Sequence, residues 1–141
     1  MAVIQSEAGL TIKTDMNNKH LVLYVEDNPA NMRLVEQILK QFPEVELLGE
    51  ETAESGLEVA AERLPELILM DINLPGMDGF QALAELKKQE KTQHIPVIAI
   101  SANAMDSDMQ RGLDSGFDGY LTKPLNLQEF MSMIRLRLNI N

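Results

Sequence analysis

The 141-residue chain contains no cysteine, which excludes both disulfide bonds and thiolate metal sites. It also lacks any apolar run near the roughly 20 residues that a transmembrane helix needs. Its first residues do not show the basic-then-apolar pattern of a signal peptide. We therefore expect a cytoplasmic protein without membrane insertion.

Basic residues are scarce as well. The sequence has 12 Lys and Arg against 22 Asp and Glu, which gives a formal net charge of -10. Binding to the phosphate backbone of a nucleic acid requires a basic face. The composition thus argues against nucleic acid as a direct ligand, although an acidic excess by itself usually means only a well-solvated surface.

Regular patterning begins only after a polar start. Residues 1–18 show no sustained periodicity and are predicted to be a flexible tail or linker, while residues 19–141 form the single predicted domain. Within that domain, short and nearly all-apolar runs predict strands that are buried on both faces of a parallel sheet. These runs are Leu21–Val25, Val45–Leu48, Leu67–Met70, Val97–Ile100 and Gly119–Leu121.

Amphipathic segments lie between and after these strands. The first predicted helix opens with Asn28-Pro29, a cap residue followed by proline. The next three helices are predicted over about Ser55–Leu64, Gly79–Gln89 and Asp106–Ser115. Ser55 and Glu58 are in capping-box register at the start of the first of these, and Gly112 weakens the prediction of the third. A fifth starts at Asn126 and is expected to bury Leu127, Phe130, Met131, Ile134 and Leu138.

Alternation of five strands and five helices predicts an α/β fold with right-handed crossovers. The size favours a flavodoxin-like doubly wound sheet of five parallel strands, order 2-1-3-4-5, with helices on both faces. A Rossmann-type half-domain is the alternative. The first strand, however, runs into Glu26-Asp27-Asn28-Pro29 instead of a glycine-rich phosphate loop, which disfavours nucleotide binding there.

Polar residues gather at one predicted edge of this sheet. Glu26 and Asp27 follow the first strand, Asp71 the third, Ser101 the fourth, and Lys123 the fifth. Acidic residues often follow strands merely because loops are polar. Three converging carboxylates, however, repel one another unless a cation lies among them, and oxygen ligands without nearby His or Cys favour Mg²⁺. Lys123 and Ser101 are suited to contact a phosphoryl group beside a carboxylate nucleophile.

At these residues the sequence resembles the receiver domain of two-component response regulators. The matching segments are LVLYVEDNPANMRLVEQIL, LILMDINLPGMDGFQAL, IPVIAISANAM and GFDGYLTKPL, and the resemblance covers about Lys19 to Leu138. It implies a phosphoacceptor switch that takes a phosphoryl group from a phosphohistidine. The partners it implies are a histidine kinase or histidine phosphotransfer protein upstream and a protein effector downstream.

The resemblance also implies a role for each matching residue. Asp71 would be the phosphoacceptor, Ser101 and Lys123 would bind the phosphoryl oxygens, and Tyr120 would be the aromatic switch residue. Mg²⁺ would be held by Asp27, Asp71 and the backbone carbonyl of Asn73, with Glu26 acting directly or through water. Glu26 is one methylene longer than the aspartate frequent at its position.

Other functions are less consistent with these residues. One is a receiver-like scaffold that binds partners without phosphorylation, another a passive phosphate carrier, and a third an aspartyl phosphatase. The intact acidic set argues against the scaffold, and Glu26-Asp27-Asn28 lacks the paired aspartates of such phosphatases. We expect no enzyme activity beyond autophosphorylation and autodephosphorylation, in a stand-alone regulator or the receiver of a hybrid histidine kinase.

Overall fold

The computed structural model describes residues 19–141, so the predicted tail at 1–18 lies outside the described residues. Within this range five parallel strands form one sheet in the order β2-β1-β3-β4-β5. The predicted flavodoxin-like fold and strand order are confirmed. The strands are β1 (His20–Val25), β2 (Val45–Glu50), β3 (Leu67–Asp71), β4 (Val97–Ser101) and β5 (Gly119–Thr122).

A helix follows each strand. They are α1 (Pro29–Leu39), α2 (Ala53–Arg63), α3 (Gly79–Lys88), α4 (Asp106–Asp114) and α5 (Leu127–Leu138). Asn28 caps α1 as predicted, with its side-chain oxygen accepting from the backbone N–H groups of Ala30 and Asn31. Among residues 19–141, none of the helices is long and apolar enough to cross a membrane.

The strand register aligns the carboxyl ends of β1, β3 and β4. Val25 at the end of β1 pairs with Met70, one residue before the end of β3, and Asp71 pairs with Ile100 of β4. Ser101 pairs with Thr122, the last residue of β5. The side chains that follow these strands therefore emerge at the same edge of the sheet, where ligands of open α/β sheets bind.

Alternating strand residues feed two hydrophobic cores, one on each face of the sheet. On one face Leu23, Val25, Ile68 and Met70 pack against α2 and α3. On the other, Val22, Tyr24, Leu67, Leu69, Ile98 and Ile100 pack against α1 and α5. Each fully buried aliphatic side chain stabilises the fold by about 1.5–3 kcal/mol, so the sheet is a rigid base for its edge.

The start of α2 differs from the prediction. The N-cap is Thr52, not Ser55, and the Thr52 side chain accepts from the backbone N–H of Ser55 at 3.0 Å. Both residues are good caps, so the sequence alone does not separate them. The earlier start places Ala53 in the core, where it is fully buried, and this burial favours Thr52.

One residue of α5 is also misplaced by the prediction. Leu127 was expected to be buried, but it remains 45 % exposed at the first position of the helix. Together with Leu34 of α1 it lines a surface cavity between the two helices. Phe130, Ile134 and Leu138 are buried as predicted, whereas Met131, also expected to be buried, is only half-buried. The helical spacing identified the correct face of α5, but it did not show that the first residue of the helix lies outside the core.

Candidate functional site

Three carboxylates converge at the carboxyl edge of the sheet. Glu26 and Asp27 follow β1, Asp71 ends β3, and one carboxylate oxygen from each lies within 4.8 Å of the others. Glu26 and Asp71 are almost fully buried, with 1 % and 3 % exposed, whereas Asp27 is exposed. Two buried anions and one solvent-facing anion thus share one small volume.

Asp71 is held by a donor on each oxygen. The backbone N–H of Asn73 donates to Oδ1 at 3.0 Å, and Lys123 Nζ lies 3.2 Å from Oδ2. Burial raises the pKa of Asp71, and the negative charge of Glu26 raises it further, while the Asn73 N–H and Lys123 partly oppose this rise. Additional positive charge at the site would therefore stabilise the ionised form of Asp71.

Glu26 has a richer set of donors. Its Oε1 accepts from Tyr24 Oη at 2.8 Å, Lys123 Nζ at 2.8 Å and Asn31 Nδ2 at 3.3 Å. Its Oε2 accepts from the backbone N–H of Asn28 at 3.1 Å. Burial would raise the pKa of Glu26, but the hydrogen bonds from Lys123, Asn28 and Tyr24 outweigh burial and lower it. Glu26 is therefore held as a buried anion.

Tyr24 remains a hydrogen-bond donor to this anion. Its ring lies in the core under α1 and α5, with 1 % of the residue exposed. Burial and the neighbouring charge of Glu26 both raise the pKa of Tyr24 above its ordinary value. The phenol thus keeps its proton throughout the physiological range.

Lys123 links the two buried carboxylates. Its Nζ lies 2.8 Å from Glu26 and 3.2 Å from Asp71, and its backbone N–H donates to the carbonyl of Ser101 at 2.8 Å. Burial would lower the pKa of Lys123, but the hydrogen bond to Glu26 and the charge of Asp71 raise it. The peptide bond between Lys123 and Pro124 is cis.

A hydrogen-bonded path leads from the end of β4 to Tyr120. Ser101 is fully buried, and its Oγ accepts from the backbone N–H of Asn103 at 3.0 Å. The carbonyl of Asn103 accepts from Tyr120 Oη at 2.9 Å. On the other side, Asn73 Nδ2 lies 3.5 Å from Ser101 Oγ. The loop after β4 is thereby connected to both the acidic edge and Tyr120.

The site opens into a surface cavity of about 510 Å³. Asp27, Asn73 and Asn103 line it from the side of the sheet, and Arg111 of α4 lines it from the other side. The Arg111 guanidinium stacks over the ring of Phe80, with Cζ 4.0 Å from the ring centroid. The cavity between α3 and α4 therefore reaches the acidic edge at Asp27 and Asn73.

The structure brings together the residues that the sequence singled out. Glu26, Asp27, Asp71 and Lys123 form one cluster, Asn73 and Ser101 adjoin it, and Tyr120 reaches it through Asn103. Tyr24, Asn31 and Arg111 also lie at the site, although no sequence motif singled them out. For Tyr24 a signal existed, because residues two apart on a strand share a face, so Tyr24 and Glu26 point the same way.

The donor chemistry of the cluster fits a hard divalent cation. The side-chain ligand atoms of the cluster are all carboxylate oxygens, and Asp27 is exposed, which leaves room for water in the coordination sphere. Mg²⁺ typically binds through one or two carboxylates while retaining several waters. Such an ion would also offset the repulsion that raises the pKa of Asp71.

The family model of the response regulator receiver domain matches residues 22–135. The chain belongs to the response regulator receiver family. It is accordingly a phosphoacceptor switch domain of two-component signalling, and the predicted resemblance is confirmed.

Several known proteins are similar to this receiver. The polar-differentiation response regulator DivK of Brucella ovis is 40% identical over 119 residues, which cover 81% of this chain and 92% of DivK. The receiver domain of sensor histidine kinase PA1611 from Pseudomonas aeruginosa, with magnesium in its active-site cleft, is 30% identical with a TM-score of 0.78, covering 86% of this chain and 98% of its own. The Mn²⁺-bound response regulator Rcp1 is 30% identical with a TM-score of 0.67, covering 82% and 89%.

Proposed function

We propose that Asp71 is the phosphoacceptor and that it takes the phosphoryl group from a phosphohistidine of a histidine kinase or histidine phosphotransfer protein. The observation that carries this assignment is its position. Asp71 ends β3 beside two further carboxylates and 3.2 Å from Lys123 Nζ, and its neighbours Asp27 and Asn73 line the cavity between α3 and α4.

The transfer is a displacement at phosphorus. An Asp71 carboxylate oxygen attacks, a P–O bond forms, and the P–N bond to the histidine breaks, so that the imidazole leaves with the bonding electron pair. Lys123 offsets the charge of the moving phosphoryl oxygens, and Ser101 donates its hydroxyl to one of them. These residues act by position and electrostatics alone.

Glu26, Asp27 and Asp71 would hold Mg²⁺, together with the backbone carbonyl of Asn73. The ion supplies positive charge for the phosphoryl oxygens. Support comes from the acidic cluster itself and from the bound magnesium and manganese of the PA1611 receiver and Rcp1. Asp27 is the exposed member of the cluster and lines the cavity, so we expect the ion and the donor to approach from its side.

The phosphorylated site would act on a downstream protein through Tyr120. Phosphorylation adds roughly 1.5 to 2 negative charges, which draw Ser101 and Lys123 toward the phosphoryl group. A shift of Ser101 moves Asn103, whose carbonyl accepts from Tyr120. The changed surface is then α4, β5 and α5. Beyond its own phosphorylation and dephosphorylation, the domain has a regulatory role and not an enzymatic one.

The decisive experiment is labelling with a small phosphodonor in the presence of Mg²⁺. The wild type should gain one acid-stable, base-labile phosphoryl group, and Asp71→Asn should gain none. Asp114→Asn is a matched control, because Asp114 is an exposed carboxylate that accepts from Gln110 and lies outside the cluster. Labelling of Asp71→Asn at the wild-type rate would show that the acceptor is another residue. A wild type that stays unlabelled would favour the scaffold.

A further inference from the structure

Tyr24 is a core residue with one polar atom, and that atom has a specific partner. Its ring packs among Val22, Leu67 and the residues of α1 and α5, where a phenylalanine would also fit. Burial of a hydroxyl without a partner is unfavourable, so a buried tyrosine needs a reason. Here the hydroxyl donates to Glu26 Oε1 at 2.8 Å.

The two oxygens of Glu26 are not equivalent. Oε1 accepts from three side-chain donors, on Tyr24, Lys123 and Asn31, whereas Oε2 accepts only the backbone N–H of Asn28 among the described residues. Three donors fill the acceptor capacity of a carboxylate oxygen. Oε2 is therefore the oxygen with a lone pair left for a cation or for a water bound to it.

We propose that Tyr24 is a positioning residue for the metal site. Its hydroxyl keeps Glu26 Oε1 in the position where Lys123 also donates to it, so that Oε2 faces the cation. This inference rests on the proposed magnesium site. Glutamate has one more rotatable bond than aspartate, so its carboxylate needs an additional anchor to occupy a fixed orientation. The tyrosine hydroxyl supplies that anchor from inside the core, in the manner of the outer partners that orient metal ligands.

The hydroxyl can be removed with little change in packing. Tyr24→Phe keeps the ring, and calorimetric titration of the unphosphorylated protein with Mg²⁺ then measures the dissociation constant without any reaction. We expect binding to weaken by about tenfold, the lower end of the range for partners that orient ligands. The matched control is Ile134→Val, which removes a methyl group from the same core but no hydrogen-bond donor to Glu26, and should leave Mg²⁺ affinity unchanged.

A second substitution tests whether Tyr24 acts through Glu26. Glu26→Asp withdraws the carboxylate by one methylene, out of reach of the Tyr24 hydroxyl. In this background Tyr24→Phe should alter the dissociation constant by less than about twofold, because residues that act through one contact are not additive.

The outcomes are distinguishable. Equal weakening by Tyr24→Phe in both backgrounds, or none in the wild type, would overturn the positioning role while leaving the magnesium site intact. A wild type that fails to bind Mg²⁺ would overturn the metal site and the positioning role together.

Discussion

The helices α3 and α4 flank the mouth of the site, yet they are held very differently. α3 begins with a full capping box between Asp78 and Gln81 and buries four of its residues. α4 begins at Asp106, its N-cap residue Met105 provides no side-chain cap, and the helix buries Gly112 alone. A helix with few buried contacts costs little to move. The comparison suggests that α3 is the fixed wall of the cavity and α4 the wall that responds.

Each helix approaches the sheet through a glycine, but what the glycine meets differs. A Cβ added at Gly79 would lie 2.7 Å from the carbonyl oxygen of Asp71 and 2.7 Å from Ile72 Cα, both backbone atoms. A Cβ at Gly112 would lie 2.7 Å from Tyr120 Cδ2, on a ring that can turn. The first contact cannot yield without moving β3, whereas the second can.

The largest effect is expected for Gly79→Ala. The added methyl would overlap the backbone at the end of β3, and overpacking of this kind costs about 3 kcal/mol when the neighbour cannot shift. Urea unfolding should show this loss in the free energy of unfolding. The Gly79→Ala variant should also bind Mg²⁺ more weakly, because the added methyl group displaces Asp71. Ala82→Gly, a change within the same helix that creates no overlap, serves as the control and should cost about 1 kcal/mol from helix propensity, plus the loss of one buried methyl.

A smaller effect should come from exchanging the caps. Asp78→Ala removes the side-chain acceptor for the Gln81 N–H and should destabilise the protein by about 1 kcal/mol. Met105→Asp gives α4 the cap that it lacks and should stabilise the protein by about 0.5–1 kcal/mol. Thermal unfolding of the two variants measures both changes. Suppose that Met105→Asp had no effect while Asp78→Ala lowered the stability by about 1 kcal/mol. The missing N-cap would then not be the reason that α4 is weakly held.

Much of this arrangement could be predicted from the sequence, because it follows from periodicity and strand order. The apolar runs placed every strand within one or two residues, Asn28 was predicted as a cap, and the last helix was predicted to start at Asn126, which is its N-cap. Parallel strands in a known order necessarily bring Glu26, Asp71 and Ser101 to one edge. The acidic cluster could therefore be predicted before any side chain was placed.

What the sequence could not provide is the choice among equivalent local options. Thr52 and Ser55 are both competent caps, and tertiary burial of Ala53 decides between them. The stacking of Arg111 on Phe80 depends on the separation of α3 and α4, which no short-range pattern encodes. The partners of Glu26 likewise require knowledge of side-chain orientation across two strands and a helix.

The smallest change in stability, and the sharpest test of the comparison, is expected for Gly112→Ala. Alanine gains about 1 kcal/mol of helix propensity over glycine, and displacement of the half-buried Tyr120 ring costs a similar amount, so the net change should stay within about 0.5 kcal/mol. The ring, however, must turn away from α4, which breaks its bond to the Asn103 carbonyl.

Nuclear magnetic resonance with beryllofluoride, a phosphoryl mimic, makes that movement visible. In the wild type the mimic should shift amide signals between residues 101 and 123 and leave residues 45–64 nearly unchanged. In Gly112→Ala the Tyr120 signals should already be displaced before the mimic is added. The mimic should then shift them less, because the hydrogen bond between Tyr120 and the Asn103 carbonyl is already broken. A loss of stability as large as that of Gly79→Ala would instead show that Tyr120 cannot yield. In that case α4 would be as firmly held as α3. In the wild type, amide shifts that are confined to the loop after Asp71 when beryllofluoride is added would indicate a passive phosphate carrier.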